Sequence, residues 1–468
     1  MKNNLSLSEA IKLLKNGEVS SYELTQSCLE SIKLKDKIIN SYVTLNDNAL
    51  KSASELDNSK SKKGRLFGVP FAIKDNFLTK GIRTTASSKV LDDYIPQYNA
   101  TVVERLLDEG AIILGKTNMD AWAHGSSTET SDYGPTLNPW DTKRLPGGSS
   151  GGSAAATAAD FCIASIGSET AGSVRGPAAW CGVVGFKPTY GRVSRYGVIA
   201  MGSSLDSPGP IVKSVEDAAI VMEVLAGRDL YDATTSTKPV ENYTKHLSKG
   251  VKGMRIGICE DYLLPEMKKE VKDLIINASK VFEKNGAKVN FVKTLNPKYA
   301  IGVYTIVQRS EVSSNLSRYD GIRYGYGRKY FGEEAKRRIM LGTFSLSAGY
   351  ADKYYKTALK ARTLFIEDFD RVFKDYDLLV GPTLPGPAPK IGITEGADMF
   401  GEMADILAEP SSIAGLPGVS VPCGFVEGLP IGLNIFGPQF SEVKVFQAAS
   451  LYEAETNWIK TKPNLENI

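Results

Sequence analysis

The stretch "RLPGGSSGGSAAATAAD", from Arg144 to Asp160, places four glycines and three serines directly before a run of alanines. Stretches rich in glycine and serine are usually flexible linkers, which is the first hypothesis for its role. The flanks argue against a linker, because "TLNPWD" precedes the stretch and "SAAATAAD" runs into "FCIASIGSETAGS". That order is typical of a small-residue helix followed by an apolar strand. We therefore expect the stretch to lie inside the packed part of an α/β fold.

The same alternation of helix and strand recurs along the chain. "RLFGVPFAIKD" has the pattern of a short buried strand that ends in polar residues, and "ATVVERLLDEGAIILGKTN" that of a helix, a glycine turn and a strand. Apolar strands that alternate with helices predict an α/β fold with a large sheet, largely parallel or mixed, covered on both faces by helices. Between residues 298 and 365 the pattern becomes mainly helical. We expect one domain over residues 1–468, with a helical subdomain at 298–365.

Composition restricts the class of protein. Of the 468 residues, 42% are hydrophobic and 23% are charged, values that are typical of a soluble globular protein. The net charge of +3 excludes an overall basic surface for nucleic acid. The five scattered cysteines have no metal-ligand spacing and indicate reduced thiols. The N-terminus lacks a signal-peptide pattern, and no apolar run approaches the roughly 20 residues that span a bilayer. We expect a protein of the cytoplasm, or of an organellar matrix, with no metal site and no membrane contact.

A phosphate-binding loop and a hydrolytic site are two further hypotheses for the glycine-serine stretch. Neither G-x-x-x-x-G-K-[ST] nor G-x-G-x-x-G fits, because Ser149 stands where the second glycine of the latter would be. The chain has two histidines. His246 lies in a polar segment typical of a surface, and His124, in "DAWAHGSSTE", could approach a site but is more typical of a structural residue. A Ser-His-Asp triad is therefore poorly supported, and no cysteine has histidine support.

A serine nucleophile without histidine needs another base. A lysine can serve only when it is unprotonated, so its pKa must fall from about 10.4 toward neutrality, which burial can cause. "GVPFAIKDN" places Lys74 at the end of an apolar strand, where its stem would be desolvated. A lysine in that position can also extend its amine to the solvent, and strand position alone favours this second arrangement.

Three motifs together resemble the amidase signature family: "GVPFAIKDN", "PGGSSGGSAAA" and "GSETAGSVRGPAAWCGVVGFKPTYGRVSRYG". The resemblance implies the amidase-signature fold and an acyl-enzyme mechanism that uses a serine, a cis-configured serine and a lysine. Carried onto this sequence, Ser173 is the nucleophile, Ser149 relays its proton and Lys74 is the terminal base. The resemblance also implies an oxyanion hole built from the backbone N–H groups of Thr170, Ala171, Gly172 and Ser173.

Within that family the chain is similar, over nearly its whole length, to the subfamily of glutaminase subunits of tRNA-dependent amidotransferases, for example in "SSNLSRYDGIRYGYG" and "AGLPGVSVPCGF". The resemblance implies that this chain hydrolyses glutamine without a cofactor of its own. The ammonia would pass to a B subunit, which uses ATP and Mg²⁺ to activate the carboxylate on a misacylated tRNA, and a small C subunit would clamp the two together. Glutamine needs a cation for its carboxylate and an anion for its ammonium. The resemblance gives these roles to Arg338 and Asp405, with Tyr304 packing nearby.

The chain departs from the family pattern at several positions. Ala171 stands where the family has glycine, and a positive φ there would strain the oxyanion loop by about 1 kcal/mol. Gly176 stands where the family has glutamine, and Thr305 stands where it commonly has tyrosine. The segment 325–331 is shorter than usual, and "AEPSSIAG" at 408–415 replaces a more apolar stretch. Two alternatives therefore stay open: a stand-alone amidase that acts on another small amide, and a non-catalytic protein that retains the fold.

Overall fold

Helices and strands alternate along most of the chain. The computed structural model describes residues 2–59, 63–322, 325–396 and 399–467. In these ranges the helices are α1 (Leu7–Asn16), α2 (Ser21–Ile39), α3 (Ala49–Asp57), α4 (Thr101–Asp108), α5 (Gly151–Ala158), α6 (Arg175–Cys181), α7 (Val215–Leu225), α8 (Lys269–Lys284), α9 (Lys298–Leu316), α10 (Glu333–Leu346), α11 (Thr357–Val372), α12 (Phe400–Ala404), α13 (Glu409–Ile413) and α14 (Glu442–Thr456). The strands are β1 (Tyr42–Leu45), β2 (Pro70–Lys74), β3 (Ile112–Thr117), β4 (Ala164–Glu169), β5 (Val184–Lys187), β6 (Ser207–Val212), β7 (Arg255–Cys259), β8 (Lys288–Val292), β9 (Leu378–Pro382), β10 (Gly418–Val426) and β11 (Leu429–Phe436). None of these helices has both the length and the apolar composition needed to cross a membrane.

The strands form one mixed sheet. Their order in the described residues is β1-β3-β2-β4-β6-β5-β10-β11-β9-β7-β8. β2 pairs in parallel with β3 and β4, and β7 pairs in parallel with β8 and β9, whereas the other neighbours are antiparallel. The helices α4 and α8 connect parallel neighbours, as a parallel crossover requires. The predicted α/β class with a large mixed sheet is confirmed.

The centre of the sheet is covered on both faces. Every residue of β2, β3, β4 and β6 is buried, and a strand buried on both faces needs a packing layer on each. One layer includes α5, whose residues are all buried and which packs against β2 and β4. Its glycine and alanine residues, which have no side chain or only a methyl group, allow a close approach to the sheet. The glycine-serine stretch is therefore the entry to a buried helix and not a linker.

The segment from residue 298 to residue 365 contains α9, α10 and the first part of α11. Both α10 and α11 pack against α9. The helix α11 continues beyond the predicted boundary to Val372, because Phe365, Phe369 and Val372 recur at helical spacing and are all buried. The division into one domain with a helical subdomain stays a prediction.

Candidate active site

Lys74 is the last residue of β2, and its side chain is fully buried. Its Nζ lies 2.7 Å from Ser149 Oγ. The same atom donates to the carbonyl oxygen of Ser168 at 3.1 Å and to Ser168 Oγ at 3.0 Å. The alternative in which this amine reaches the solvent is therefore wrong, because the neighbouring strand β4 supplies its polar partners inside the core.

The buried position changes the charge of Lys74. Burial lowers the pKa of Lys74 from 10.5 to about 7, and the negative charges of Asp120, Asp206 and Glu169 oppose that fall only in part. A neutral amine has two N–H donors and one lone pair. Because Ser168 accepts two hydrogen bonds from Nζ, the lone pair is left for the hydroxyl of Ser149. In its neutral form Lys74 is placed to accept a proton from Ser149.

Ser149 lies in the loop that enters α5, and the peptide bond between Gly148 and Ser149 is cis. Two glycines shape this loop. Gly147 has a φ of +86°, a conformation that favours glycine. A Cβ atom on Gly148 would clash with the carboxyl of Asp120 and with the backbone N of Ser127. Glycine therefore lets the loop pass close to the residues that surround Ser149.

Ser173 lies on the loop between β4 and α6, and its side chain is 4% exposed. Ser150 N donates to Ser173 O at 3.2 Å, which joins this loop to the loop of Ser149. Lys74 contacts Ser149. Among the described residues, no hydrogen bond joins the hydroxyl of Ser149 to that of Ser173. Catalytic hydrogen bonds commonly tighten only when substrate binds. The structure thus brings the lysine and the first serine into contact and holds Ser173 on the adjoining loop, and its role as nucleophile stays a prediction.

The loop predicted to form the oxyanion hole has open donors. Within the described part of the chain, the N–H groups of Ala171, Gly172 and Ser173 donate to no acceptor. Thr170 Oγ1 donates to Asp206 Oδ1 at 2.7 Å. Burial raises the pKa of Asp206 to about 6, although its hydrogen bonds favour the ionised form. Open N–H groups on an anchored loop are what an oxyanion hole requires.

A buried ion pair fixes the same loop from its other side. Arg175 Nη2 and Nε lie 2.6 Å and 2.9 Å from Glu169 Oε1, and both side chains are fully buried. A buried pair is tolerated when further hydrogen bonds satisfy its remaining atoms. The further acceptors of Arg175 are Ala171 O, Ala408 O, Ser411 Oγ, Ser412 Oγ and Asn434 Oδ1. Arg175 therefore ties the oxyanion loop to α13 and to β11.

The strain that a positive φ would cause at Ala171 does not arise. Ala171 does not have a positive φ. Its Cβ atom therefore causes none of the backbone strain that a left-handed conformation would bring. The methyl group is 1% exposed and packs in the main hydrophobic core. At Gly176, a second departure from the family pattern, an added Cβ would lie in ordinary contact, 3.5 Å from Asp405 Oδ1. Neither departure disturbs the contact of Lys74 with Ser149.

Tyr304, Arg338 and Asp405, the residues expected to bind glutamine, are all buried. Arg338 Nε lies 2.5 Å from Glu334 Oε1, and Nη1 donates to Gln308 Oε1 at 3.0 Å. Burial opposes the charge of Arg338, but the nearby glutamates raise its pKa above the usual range. Burial also raises the pKa of Tyr304 well above its usual value, and Arg338 and Asp405 are among the charges that act on its phenol. Arg338 is therefore held inside the fold, although it lies on a helix rich in charged residues.

Asp405 lies against the oxyanion loop. A Cβ atom on Gly172 would clash with the carboxyl of Asp405. Ser126 Oγ donates to Asp405 Oδ2 at 2.7 Å. Burial raises the pKa of Asp405 to about 8, and the charge of Glu169 adds to that rise. A ligand ammonium beside Asp405 would lower this pKa and keep the carboxyl ionised. Asp405, the residue expected to bind the ammonium of glutamine, thus borders the loop that carries Ser173.

Several residues of the site escaped sequence reasoning. These are Ser168, which contacts Lys74, the anchor Asp206, and the pair of Glu169 with Arg175. All four lie inside or close to the motifs that carry the family resemblance. A glutamate and an arginine in an otherwise small and apolar segment are the one local signal that could have indicated a buried ion pair.

The histidines and cysteines give no second catalytic set in the described residues. His124 is buried, and neither ring nitrogen has a hydrogen-bond partner in the part of the chain that the structure describes. Burial, together with the charges of Arg338 and Arg309, lowers the pKa of His124 well below its usual value. His246 is half-buried on a short 3-10 turn. The five cysteines are buried and unlinked, and no cluster with the composition of a metal site occurs among the described residues.

Comparison with known proteins places the chain in one family. Residues 23–446 match the family model described as Amidase. The chain is 49% identical to the A subunit of glutamyl-tRNA(Gln) amidotransferase from Halothermothrix orenii, with 99% of each chain covered. It is 47% identical to the protein of the same name from Oceanobacillus iheyensis, with 98% of each chain covered. The solved structure of the corresponding A subunit from Thermotoga maritima is similar with a TM-score of 0.86 at 41% identity, and the match covers 99% of this chain and 98% of that chain.

Proposed function

Because the chain belongs to the amidase family, we propose that it is the glutamine-hydrolysing A subunit of a tRNA-dependent amidotransferase. Full-length similarity to relatives of that name supports the proposal. The observation that carries it is the contact of Lys74 with Ser149 in a fully buried position, where the lysine has a pKa of about 7. The ammonia serves to convert Glu-tRNA(Gln) to Gln-tRNA(Gln), and Asp-tRNA(Asn) is the second substrate open to such a complex.

Acylation begins with the neutral form of Lys74. Its Nζ accepts the proton of Ser149 Oγ, and Ser149 Oγ accepts the proton of Ser173 Oγ. Ser173 Oγ attacks the side-chain carboxamide carbon of glutamine, and the oxygen that gains negative charge is bound by the open N–H groups of the loop from Ala171 to Ser173. Each such donor contributes about 3–4 kcal/mol to transition-state stabilisation. The proton returns through Ser149 to the leaving nitrogen, so that ammonia departs and a γ-glutamyl ester remains on Ser173.

Deacylation uses the same groups in the same order. A water molecule attacks the ester carbon while its proton passes to Ser149 and on to Lys74. The tetrahedral intermediate collapses, Ser173 Oγ leaves with the returned proton, and glutamate is released. Because one lysine takes up and returns one proton in each half-reaction, no histidine is needed.

Substrate orientation follows from the charges that border the loop. Arg338 would bind the α-carboxylate of glutamine and Asp405 its α-ammonium, with Tyr304 packing nearby. The close contact of Asp405 with Gly172 would then set the distance from the ammonium to the reacting carboxamide. In this arrangement the carboxamide end of glutamine lies nearest to Ser173.

The remaining steps belong to partner subunits. A B subunit would bind the misacylated tRNA and use ATP and Mg²⁺ to activate its carboxylate for attack by ammonia. A small C subunit would clamp the two larger subunits together. This chain would then need no cofactor, and it would work in the cytoplasm or in an organellar matrix, where its tRNA substrates are found.

The test is a transamidation assay on the chain co-expressed with its B and C subunits. Lys74→Ala and Ser173→Ala should each abolish the glutamine-dependent formation of Gln-tRNA(Gln). Added ammonium should restore product in both, because the step that uses ammonia lies in the partner. Lys187→Met is the matched control. Lys187 is also fully buried with its pKa lowered to about 7 by burial, but its Nζ donates to Pro188 O, so this variant should retain glutamine-dependent activity.

Three results would contradict the proposal in different ways. Failure of ammonium to restore product would contradict the division of labour between subunits. Steady turnover of simple aryl or aliphatic amides by the chain alone, indifferent to tRNA and ATP, would favour a stand-alone amidase. Unchanged activity of the Ser173→Ala complex would indicate a non-catalytic role.

A further inference from the structure

A group of buried polar side chains borders Arg338 and Asp405 and takes no part in the mechanism above. His124, Gln308 and Glu409 are each at most 1% exposed. In the described ranges, no hydrogen bond reaches either ring nitrogen of His124, Nε2 of Gln308 or either carboxyl oxygen of Glu409. Buried polar atoms in folded proteins nearly always have a partner, in the protein or in a bound molecule. This concentration of unpaired atoms points to a ligand.

Glu409 lies on the same face as Asp405. It is the first residue of α13, and its backbone N donates to Asp405 O at 3.0 Å, which places the two side chains one helical turn apart. The helix α13 packs against α9, which carries Tyr304 and Gln308. Burial raises the pKa of Glu409 well above its usual value, the charges of Asp405 and Glu402 add to the rise, and Arg338 opposes it. Glu409 therefore shares the surroundings of the residues expected to bind glutamine.

The neighbouring acids have partners that Glu409 lacks. Glu402 forms an ion pair with Arg309, with 2.9 Å between Oε1 and Nη2. Glu334 pairs with Arg338, and Asp405 accepts the hydroxyl of Ser126. Among these four acidic side chains, Glu409 alone has neither a cation nor a hydrogen bond. An ionised carboxylate in such a place needs a positive charge from outside the fold.

We propose that Glu409 is a second carboxylate of the substrate site, which binds the α-ammonium of the substrate together with Asp405 and so selects amides that carry a free amine. The inference rests on the proposed hydrolysis of glutamine. An ammonium has three N–H donors, which is enough for both carboxylates. Its charge supplies the ion-pair partner that Glu409 lacks, because the ion pairs of Arg309 and Arg338 are with Glu402 and Glu334.

Stability and substrate binding should respond to Glu409 in opposite ways. The Glu409 side chain contributes no hydrogen bond to the described fold, so its replacement breaks no internal contact of that kind. Removal of a buried carboxyl without a partner is commonly neutral or stabilising. Glu409→Gln and Glu409→Leu should therefore keep or raise the Tm while they weaken the binding of glutamine.

The experiment compares two substrates in the complete complex. Glutamine carries the α-ammonium, and its des-amino analogue, glutaramate, does not. Glu409→Gln should raise the KM for glutamine by about tenfold or more, because a hydrogen bond to a charged group is lost, and should change kcat by less than about threefold. The KM for glutaramate should stay as in the wild type. Glu442→Gln is the matched control, because Glu442 is also buried and has one carboxyl oxygen without a partner among the described residues. It should leave both substrates unaffected.

Each outcome decides the inference. If active Glu409→Gln and Glu409→Leu keep the wild-type preference for glutamine over glutaramate, the inference is overturned and the proposed function stands. A fall of Tm in both variants would show that the carboxyl serves the fold, which also overturns the inference. If the wild-type complex hydrolyses neither substrate, the proposed function itself has failed.

Discussion

Replacement of Lys74 by methionine tests the uncharged lysine through protein stability, without any substrate. The folded pKa of Lys74, about 7, lies below the ordinary value of 10.5. Below pH 7 the lysine is protonated in the folded and the unfolded chain, so folding bears the full cost of burying a charge. Between pH 7 and 10.5 the unfolded chain keeps a proton that the folded chain has lost, so the stability of the wild type rises with pH. Above 10.5 this cost is gone, and methionine has no such cost at any pH.

The pKa difference sets the size of the effect. At about 1.36 kcal/mol for each pKa unit, the cost of the buried amine is about 5 kcal/mol in acid, about 4 kcal/mol at pH 7 and about 2 kcal/mol at pH 9. A chain of 468 residues unfolds with an entropy of about 1 kcal/mol per kelvin. The corresponding gain in Tm for Lys74→Met is about 4 °C at pH 7 and about 2 °C at pH 9. Methionine also loses the hydrogen bonds to Ser149 and Ser168, which costs about 1 kcal/mol for each bond at every pH.

The slope with pH is therefore the diagnostic quantity, and the absolute offset is not. Calorimetric Tm values for the wild type and Lys74→Met are measured side by side from about pH 7 to about pH 9. The Tm of the wild type should rise relative to that of Lys74→Met by about 1 °C for each pH unit. Lys80→Met, which replaces an exposed lysine, gives the baseline for the loss of a surface charge. If the Tm of the wild type relative to that of Lys74→Met stays constant or falls as pH rises, the argument that Lys74 is buried without its proton is refuted.

The other predictions concern activity and the anchors of the site. The kcat/KM of the complex for glutamine should fall about tenfold for each pH unit below about 7, because protonated Lys74 cannot accept a proton, and a profile that is flat through this range would contradict the assignment of the base. Arg338→Ala should raise the KM for glutamine by about tenfold or more, and a variant that loses only thermal stability at unchanged KM would count against its role in binding. Arg175→Met should lower the Tm by about 3–5 °C, because it leaves Glu169 buried without its cation, and an unchanged calorimetric Tm would show that the pair does not hold the loop. Ala171→Gly should lower the Tm by about 1 °C or less, and a rise in Tm would restore the idea of strain at this position.

The fold class was predictable because it follows from local patterns. The apolar run of β2 and the helical period of α4 are properties of consecutive residues, and alternation of such elements indicates a sheet between helices. The burial of Lys74 was not predictable from its strand. It depends on Ser168, which lies 94 residues further along the chain on the neighbouring strand. The ties of Arg175 to Ser411 and Ser412 span more than 230 residues. Pairings across such separations leave no trace in a local window of sequence.

The candidate site residues were predictable to a different extent. The family motifs indicated Lys74, Ser149 and Ser173, and the structure places the first two in contact and the third on the adjoining loop. The motifs left open whether φ at Ala171 is positive and the loop strained. The structure shows that it is not positive, which the motif could not decide, because the φ of one loop residue depends on how the whole loop is anchored. Glu409 lies in "AEPSSIAG", which departs from a more apolar family stretch, but its role was not predictable, because one acidic residue in a short helix looks like any solvated side chain until its neighbours are known.

The ties of Arg175 also limit how this enzyme can be engineered or can diverge. One guanidinium fastens the loop of the proposed nucleophile to the segment that begins α13, which carries the carboxylate proposed to bind the substrate. A chimera that imports residues 400–413 from a relative with another substrate would therefore also exchange the groups that brace the chemical step. Such grafts should succeed only when the donor segment brings acceptors that fit Arg175, so new specificity and retained turnover must be selected together.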